Sequence, residues 1–481
     1  MTTASDRTAT CVMVCGTSSG AGKSLLTTAL ARFYARQGLK VAPFKAQNMS
    51  NNARVVEGGE MGSAQYFQAL AARCMPDVRM NPVLLKPETD SRSQVILLGR
   101  RDETLSRMDW RQRSERLWPT VRGCLEELRR QYEVIVIEGA GSPAEINLQA
   151  SDFVNMRVAL AADAATLLIC DIDRGGAFAH LYGTYQLLTP EQRRLIRGFV
   201  LNKFRGDPAL LPPGPQRLEE LTGVPTLGVL PMWREHGLAE EDGVFDSQSS
   251  GAGLSIVVVS YPRISNLDEF NLLKALPGIA LRWARDASAI AAADLLVLPG
   301  SKHVAQDLAW LHSRGMADAI RQHAWAGKPT LAVCGGLQML GEEVRDRCGV
   351  EGEAKGLGLL PLITSFEPEK YYDRASYQLL SLKGFWAPLT GVAYEGYEIR
   401  HGRTVSSSTN CGDSLQAVLD GNRGWQHGSV LALYTHGLFE NPAVLQALFG
   451  FRTRSSEDVF EGLADFIERY LGHRRLLDLL R

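Results

Sequence analysis

Short apolar runs rich in β-branched residues alternate with helical patterns through the first half of the chain. Between the runs, apolar residues recur at helical spacing, as they do from Lys23 to Gln37 and from Trp110 to Arg130. Continuous apolar runs of this length indicate strands that are buried on both faces of a parallel sheet. The runs are residues 10–16, 39–46, 133–141, 165–173 and 196–203. The alternation therefore predicts a doubly wound α/β domain.

A polar, glycine-rich segment separates this domain from a second series of strand-like runs. The segment, DSQSSGAG, follows Phe245 and is typical of an interdomain linker. The pattern then restarts with apolar runs at residues 254–262, 279–285, 294–301 and 329–336. Aromatic residues and short strands follow from Leu357 to Leu433, so we expect the second sheet to be mixed.

These patterns divide the chain into four regions. The predicted regions are a first domain at 1–246, a linker at 247–252, a second α/β domain at 253–450 and a helical tail at 451–481. The tail has apolar residues at helical spacing behind a serine and an acidic start. We expect the tail to pack on the body of the protein rather than form a separate module.

The composition is that of a soluble globular protein with more than one domain. The chain has 481 residues, too many for one hydrophobic core, and it is 45% hydrophobic and 22% charged, as soluble globular proteins are. Its 52 basic and 53 acidic residues give a formal charge of -1. This balance gives no electrostatic reason to expect nucleic acid or an anionic membrane as a partner. The partners left open by the composition are small molecules and further copies of the chain in a homo-oligomer.

The expected location is the cytoplasm. The first ten residues lack the basic and apolar regions of a secretory signal, and no apolar run is long enough to cross a bilayer. The 8 cysteines are scattered, with no pair at CxxC spacing. For all but one of them, a reduced and buried thiol is the expected state.

The first apolar run leads directly into GTSSGAGKS, which precedes a helical pattern. Glycines in such a loop let backbone N–H groups converge on phosphate oxygens, and the next helix directs its N-terminal end at the same anion. Lys23 can reach the β- and γ-phosphates, and the Ser24 hydroxyl can hold Mg²⁺. A chance GKS is the alternative interpretation, but its place between strand and helix argues against it. The residues expected to contact ATP here are Gly16, Thr17, Gly20, Gly22, Lys23 and Ser24.

The loop is one residue longer than the common motif. Five residues separate Gly16 from Gly22, where the common pattern has four. This spacing resembles dethiobiotin synthetase and its relatives among P-loop ATPases. The first domain is therefore expected to be a P-loop doubly wound parallel sheet of the dethiobiotin-synthetase type.

Polar residues at the ends of other strands complete the candidate ATP site. Glu138 ends a strand where a Mg²⁺ ligand belongs, although a solvated turn carboxylate is the alternative. Asp171 begins DIDRGG and is a second candidate metal ligand, with a surface turn as a serious competitor. Lys45 follows the second strand, near the expected γ-phosphate, or is simply a surface lysine. Asn202 and Lys203 end a further strand where related ATPases contact adenine, which is an analogy.

The second domain contains a candidate glutaminase site. A strand-like run meets a helical pattern at Cys334, a sharp turn that would expose a nucleophile beside the N–H groups of a helix. Gly335 permits this turn and can supply an oxyanion N–H, and Gln338 could orient the substrate amide. His436 ends a later strand and can act as the base. Gly300, after another strand, could supply the second oxyanion N–H.

This half resembles the class I glutamine amidotransferases, with two departures. Ala332 stands where many members have glycine, and Leu438 stands where they carry a glutamate two residues after the histidine. The sequence therefore supports a Cys–His dyad. A dyad can act at reduced efficiency, because the third group chiefly orients the imidazole.

Seven further segments follow one another along the two halves. They are PFKAQNMSNN (43–52), MNPVLLKP (80–87), EGAGSPAEINL (138–148), DIDRGGAFA (171–179), LNKFRGD (201–207), PRISNLDEF (262–270) and YEGYEIRHGRT (394–404). With these segments, the two halves together resemble the cobyric acid synthase family, the glutamine-dependent enzymes of cobalamin biosynthesis. The resemblance covers nearly the whole chain. One departure lies in the EGYEI segment, where family members usually have a histidine and this chain has Arg400 followed by His401.

The resemblance implies an ATP- and Mg²⁺-dependent ligase. It would amidate the b, d, e and g carboxylates of adenosylcobyrinic acid a,c-diamide, with ammonia from glutamine, to give adenosylcobyric acid. The rival within the same class is cobyrinic acid a,c-diamide synthase. A rival from a different class is a P-loop ATPase switch protein, for which a Cys334–His436 pair would have no use.

Overall fold

The computed structural model describes residues 8–89, 92–149, 151–238, 253–407 and 415–481. The chain divides into two compact units. The first contains the described residues up to 238 together with Ser455–Arg481, and the second contains the described residues from 253 to 454. The predicted linker at 247–252 lies outside the described residues.

The elements of the first unit alternate along the chain between strands and helices. The strands are β1 (Thr10–Gly16), β2 (Val41–Phe44), β3 (Gln47–Met49), β4 (Ala53–Val56), β5 (Gly59–Gly62), β6 (Val83–Thr89), β7 (Arg92–Leu97), β8 (Arg100–Arg101), β9 (Val134–Glu138), β10 (Ala165–Asp171), β11 (Ile196–Phe204) and β12 (Thr226–Pro231). The helices are α1 (Lys23–Arg36), α2 (Ser63–Ala71), α3 (Glu103–Arg107), α4 (Trp110–Gln131), α5 (Met156–Ala162), α6 (Ala177–Leu187), α7 (Pro190–Arg193) and α8 (Gly214–Thr222), with 3₁₀ turns at Val78–Met80 and Pro208–Leu210.

Among the described residues of this unit, six strands form a parallel sheet in the order β12-β11-β10-β1-β9-β2. Alternate residues of β1 enter different cores. Val12 and Val14 pack in the cluster that contains the buried face of α1, whereas Met13 and Cys15 pack in the cluster that contains α4. Both faces of the sheet are therefore covered, which explains the continuous apolar runs and confirms the predicted doubly wound fold.

The second unit follows the same alternation. Its strands are β13 (Leu254–Val259), β14 (Ile264–Ser265), β15 (Ile279–Ala284), β16 (Leu295–Leu298), β17 (Gly300–Ser301), β18 (Thr330–Val333), β19 (Glu343–Arg345), β20 (Ala354–Lys355), β21 (Leu362–Gln378), β22 (Ala393–Ser406), β23 (Leu415–Leu419), β24 (Gly424–His427) and β25 (Val430–Leu433). Its helices are α9 (Asn271–Lys274), α10 (Ala287–Ala291), α11 (Val304–Ser313), α12 (Met316–Trp325), α13 (Gly335–Leu340) and α14 (Pro442–Phe449), with 3₁₀ turns at Leu267–Phe270, Gly384–Leu389 and Leu438–Glu440.

The main sheet of the second unit is mixed. Its order is β15-β13-β16-β18-β25-β24-β23 within the described chain, and the strands from β15 to β25 are parallel while β24 and β23 are antiparallel. Because β18 and β25 are parallel neighbours, the residues that follow them emerge at the same edge of the sheet. This register brings the segments after Val333 and Leu433 together.

The chain ends in two helices that belong to the first unit, α15 (Ser456–Leu471) and α16 (His473–Asp478). Ser455 caps α15 with a capping box that involves Asp458. The fully buried Arg32 of α1 donates to Glu457 at 2.8 and 3.1 Å. The tail therefore packs on the helix that follows the phosphate loop. No helix in the described ranges is long and apolar enough to cross a membrane.

Two candidate active sites

The loop between β1 and α1 depends on glycine at two positions. Gly20 and Gly22 have φ angles of 70° and 103°, in the left-handed region that favours glycine. A Cβ on Gly22 would also lie 2.1 Å from Nδ2 of Asn202. That amide donates to the carbonyl of Ala21 at 2.9 Å. Asn202, near the end of β11, therefore packs directly against the loop. This close approach leaves no room for a side chain at residue 22.

The side chains of two lysines, one in α1 and one in β11, donate hydrogen bonds to carbonyls of the loop and its surroundings. Nζ of Lys23 donates to the carbonyls of Ser18 and Gly141, at 3.0 and 3.2 Å. Nζ of Lys203 donates to the carbonyl of Gly20 at 2.8 Å. The first turn of α1 contains no acidic residue, so no side chain of the helix itself neutralises the positive end of its dipole. Cationic side chains and a helix N-terminus thus meet in one loop, the arrangement that binds polyphosphates.

A buried carboxylate stands beside this loop at the end of β9. Oε1 of Glu138 accepts hydrogen bonds from Oγ of Ser24 and Nζ of Lys45, each at 2.9 Å. Oε2 accepts from the side-chain amide of Gln68. Burial alone would raise the pKa of Glu138, but the Lys45 charge and the three hydrogen bonds outweigh it and hold that pKa below its usual value. The carboxylate is therefore ionised next to the Ser24 hydroxyl.

In the second unit, a strained turn presents a cysteine after β18. Cys334 has φ 50° and ψ -104°, a conformation that costs free energy for a non-glycine residue. Its backbone N–H donates to the carbonyl of Leu433 at 2.7 Å, and α13 begins at the next residue. Cβ atoms at Gly335 and Gly336 would lie 2.6 and 2.1 Å from neighbouring backbone atoms. The two glycines therefore let the turn pack tightly, and the thiol lies at the N-terminus of a helix.

His436 is held by a glutamate from a distant part of the chain. Nδ1 of His436 lies 2.9 Å from Oε1 of Glu269, and the N–H of Gly437 donates to Oε2 of the same residue at 2.9 Å. Burial alone would lower the pKa of His436. The Glu269 charge and the hydrogen bond with the Cys334 thiol outweigh that effect and raise the pKa to about 10. The ring therefore accepts the thiol proton readily, with Nδ1–H directed at Glu269.

Two other predicted residues, Gly300 and Gln338, lie close in the fold to His436 and Cys334, respectively. A Cβ on Gly300 would lie 2.8 Å from Cε1 of His436, so the glycine gives the imidazole its space. Gln338 projects from α13 and donates to the hydroxyl of Tyr434 at 3.4 Å. Its amide is thus already fixed in a buried network.

Comparison with known proteins gives the family. Residues 12–244 match the CobQ/CobB/MinD/ParA nucleotide binding domain, and residues 255–444 match the CobB/CobQ-like glutamine amidotransferase domain. The cobyric acid synthase of Leptothrix cholodnii is 58% identical, over 98% of this chain and 96% of that protein. The cobyric acid synthase of Methylibium petroleiphilum is 60% identical, over 98% of this chain and 96% of that protein. That of Variovorax paradoxus is also 60% identical, over 96% of this chain and 98% of that protein.

The chain belongs to the cobyric acid synthase family. It is an amide-forming enzyme of cobalamin biosynthesis, with a nucleotide-binding domain that implies the use of ATP and a glutamine amidotransferase domain. The resemblance inferred from the sequence is thereby confirmed, and the P-loop switch protein is ruled out as an interpretation of the whole chain.

In this member of the cobyric acid synthase family, only some of the residues predicted for the ATP site contact one another. Ser24, Lys45 and Glu138 are in direct contact, whereas Asp171 forms ion pairs with Lys203 at 3.2 Å and Arg174 at 3.5 Å. No group of three or more His, Cys, Asp or Glu side chains suited to a metal occurs within the described residues. The metal role of Asp171 and the adenine roles of Asn202 and Lys203 stay predictions.

Glu269 and Gln68 belong to these sites but were not predicted from the sequence. Leu438 occupies the position of the usual third residue and is buried in the core, so no carboxylate follows the histidine at that position. Glu269 instead comes from the PRISNLDEF segment, 167 residues earlier. That segment carried the family resemblance, and its adjacent acidic residues were the available signal. Gln68 had no signal beyond its place in a helical pattern.

Proposed function

We propose that this protein converts adenosylcobyrinic acid a,c-diamide to adenosylcobyric acid by amidating the b, d, e and g carboxylates. Each amide would consume one ATP and one glutamine. The observation that carries the proposal is the presence, in one chain, of an ionised Glu138 beside a P-loop and a Cys334 nucleophile beside a Glu269-bound histidine. The first site activates a carboxylate, and the second releases ammonia.

Activation is needed because oxide is a poor leaving group from a carboxylate. An oxygen of the substrate carboxylate attacks the γ-phosphorus of ATP, the bond from that phosphorus to the bridging oxygen breaks, and ADP leaves with the electron pair. Lys23 and Lys45 are placed to stabilise the charge on the transferring group. Ammonia then attacks the acyl phosphate, and inorganic phosphate leaves.

Ser24 and Glu138 are the residues that would hold a Mg²⁺ ion beside the nucleotide phosphates. The hydroxyl and carboxylate oxygens lie 2.9 Å apart, and Mg²⁺ commonly binds one or two protein oxygens with the phosphates and water as other ligands. When bound, the ion would neutralise phosphate charge during transfer. A cluster of three carboxylates is not required for this role.

The geometry of the second site supports the release of ammonia from glutamine. The Cys334 thiolate attacks the amide carbon of glutamine, and the C–N bond breaks as His436 protonates the departing nitrogen. N–H groups at the start of α13 are placed to stabilise the oxyanion. Water then hydrolyses the thioester to glutamate. We expect this chemistry in the cytoplasm, where ATP and glutamine are available.

The test is mass spectrometry of the product after incubation with the a,c-diamide, ATP, Mg²⁺ and glutamine. Four successive additions of one amide each are expected. Turnover of cobyrinic acid to its diamide, with no reaction of the diamide itself, would instead support the a,c-diamide synthase alternative. No amidation of either corrinoid would contradict both assignments.

A further inference from the structure

The carboxylate of Glu138 is bound on both oxygens by different elements. Ser24 and Lys45 bond to Oε1, and Gln68 of α2 bonds to Oε2. The NH₂ end of the Gln68 amide faces the carboxylate, because Nε2 is the atom that donates to Oε2. Glu138 and Gln68 are both almost completely buried. The carboxylate therefore has one oxygen turned to the P-loop and the other fixed to α2.

Helix α2 is anchored at both ends. At its start, the N–H of Gly62 donates to Oδ1 of Asn81 at 3.1 Å, and the N–H of Ser63 donates to the carbonyl of Asn52 at 3.1 Å. At its end, the buried guanidinium of Arg32 in α1 donates to the carbonyl of Leu70 at 3.3 Å. These contacts fix the position from which Gln68 reaches Glu138.

We propose that Gln68 is a positioning residue that directs Oε1 of Glu138 toward Ser24 and the metal site. This inference rests on the proposed metal role of Glu138. A neutral amide suits the task because it fixes the orientation of the carboxylate without neutralising its charge. A second lysine at this place would compete with Mg²⁺ for the negative charge.

The matched control is Gln65, one helical turn earlier on α2. Its side chain is also fully buried, and it forms no hydrogen bond with any described residue. Gln68→Met and Gln65→Met each remove one buried side-chain amide and keep a side chain of similar length. Only the first change removes a donor from Glu138.

The experiment measures ammonia-dependent amide synthesis, which needs no glutaminase, as a function of Mg²⁺ concentration in the full-length protein. Gln68→Met should raise the Mg²⁺ concentration for half-maximal rate by roughly 10- to 100-fold, the usual effect of losing a residue that orients a metal ligand. Gln65→Met should leave that concentration unchanged. Binding of a fluorescent ATP analogue without Mg²⁺ should be the same in both variants and the wild type.

The outcomes separate this inference from the proposed function. An equal rise in the Mg²⁺ requirement in both variants, or a loss of Mg²⁺-free nucleotide binding in Gln68→Met, would show a structural role and overturn the inference. If Glu138→Gln raises the Mg²⁺ requirement but Gln68→Met does not, the positioning role fails while the metal role of Glu138 stands. If neither variant changes the requirement, the metal role of Glu138 fails as well.

Discussion

Glu269 holds His436 through two hydrogen bonds at once, one to Nδ1 of the ring and one to the N–H of Gly437. The ring is further fixed by Tyr397, whose ring stacks on it with centroids 5.2 Å apart and an angle of 18° between the planes. The imidazole therefore has one orientation, with Nδ1 occupied and Nε2 free to serve the thiol. Cys334, His436 and Glu269 therefore have the arrangement of a catalytic triad, which we propose in place of the dyad expected from the sequence.

Glu269→Gln tests this triad. The carboxylate raises the pKa of His436, so its neutral replacement should lower that pKa, and the imidazolium should lose its proton at a lower pH. We expect the alkaline limb of the glutaminase pH profile, near pH 10 in the wild type, to move to lower pH. The value of kcat should fall by roughly 10²–10⁴-fold.

The control for that change is Glu395→Gln, which removes an exposed acid from β22 of the same unit. Its glutaminase profile should match that of the wild type. Unchanged kcat and pH limits in Glu269→Gln would show that the dyad alone suffices.

Cys334→Ser should abolish glutamine-dependent synthesis, with a loss on the order of 10⁴-fold or more, and leave ammonia-dependent synthesis largely intact. The reason is division of labour, since the thiol only liberates ammonia. High ammonium at mildly alkaline pH supplies free NH₃ for the comparison. Cys348→Ser, which changes an exposed thiol of the same unit, should retain both activities. Loss of both activities in a folded Cys334→Ser protein would contradict the division.

Lys23→Ala should abolish synthesis with either nitrogen donor, because both routes need the acyl phosphate. Removing a cation from the transferring phosphoryl group should cost roughly 10²–10³-fold or more in turnover. ATP hydrolysis in the presence of the a,c-diamide is the measurement. The exposed Lys40 offers a control, and Lys40→Ala should turn over ATP normally. Near-normal ammonia-dependent synthesis in Lys23→Ala would remove this lysine from the ATP site.

Gly22→Ala should weaken ATP binding by at least about tenfold, a loss of roughly 1.4 kcal/mol. The added Cβ would meet the Asn202 amide and would require a left-handed backbone that alanine resists. Titration with an ATP analogue is the measurement. By contrast, Gly123 lies inside α4 with open space around it, so Gly123→Ala should leave affinity unchanged and raise Tm slightly. Equal affinities in both variants would show that the loop tolerates a side chain at residue 22.

The sequence predicted what depends on neighbouring residues. Continuous apolar runs located the parallel strands, and the glycines around Lys23 and Cys334 marked the two loops. Contacts between distant segments are not specified by the local sequence in this way. Glu269 meets His436, and Gln68 meets Glu138, only because strand order and helix packing bring them together. An acidic residue or a glutamine in an isolated segment has many possible partners, and its local sequence does not select one.

The last two helices have a consequence for biosynthesis of the protein. The first unit is interrupted in the sequence by the whole second unit and is completed only by Ser455–Arg481. During translation, the surface of α1 that packs against α15 stays uncovered until the ribosome has synthesised the whole amidotransferase portion and then α15. A premature stop codon near the 3′ end of the gene would therefore damage the ATP-binding half, although every residue of its phosphate loop had been made.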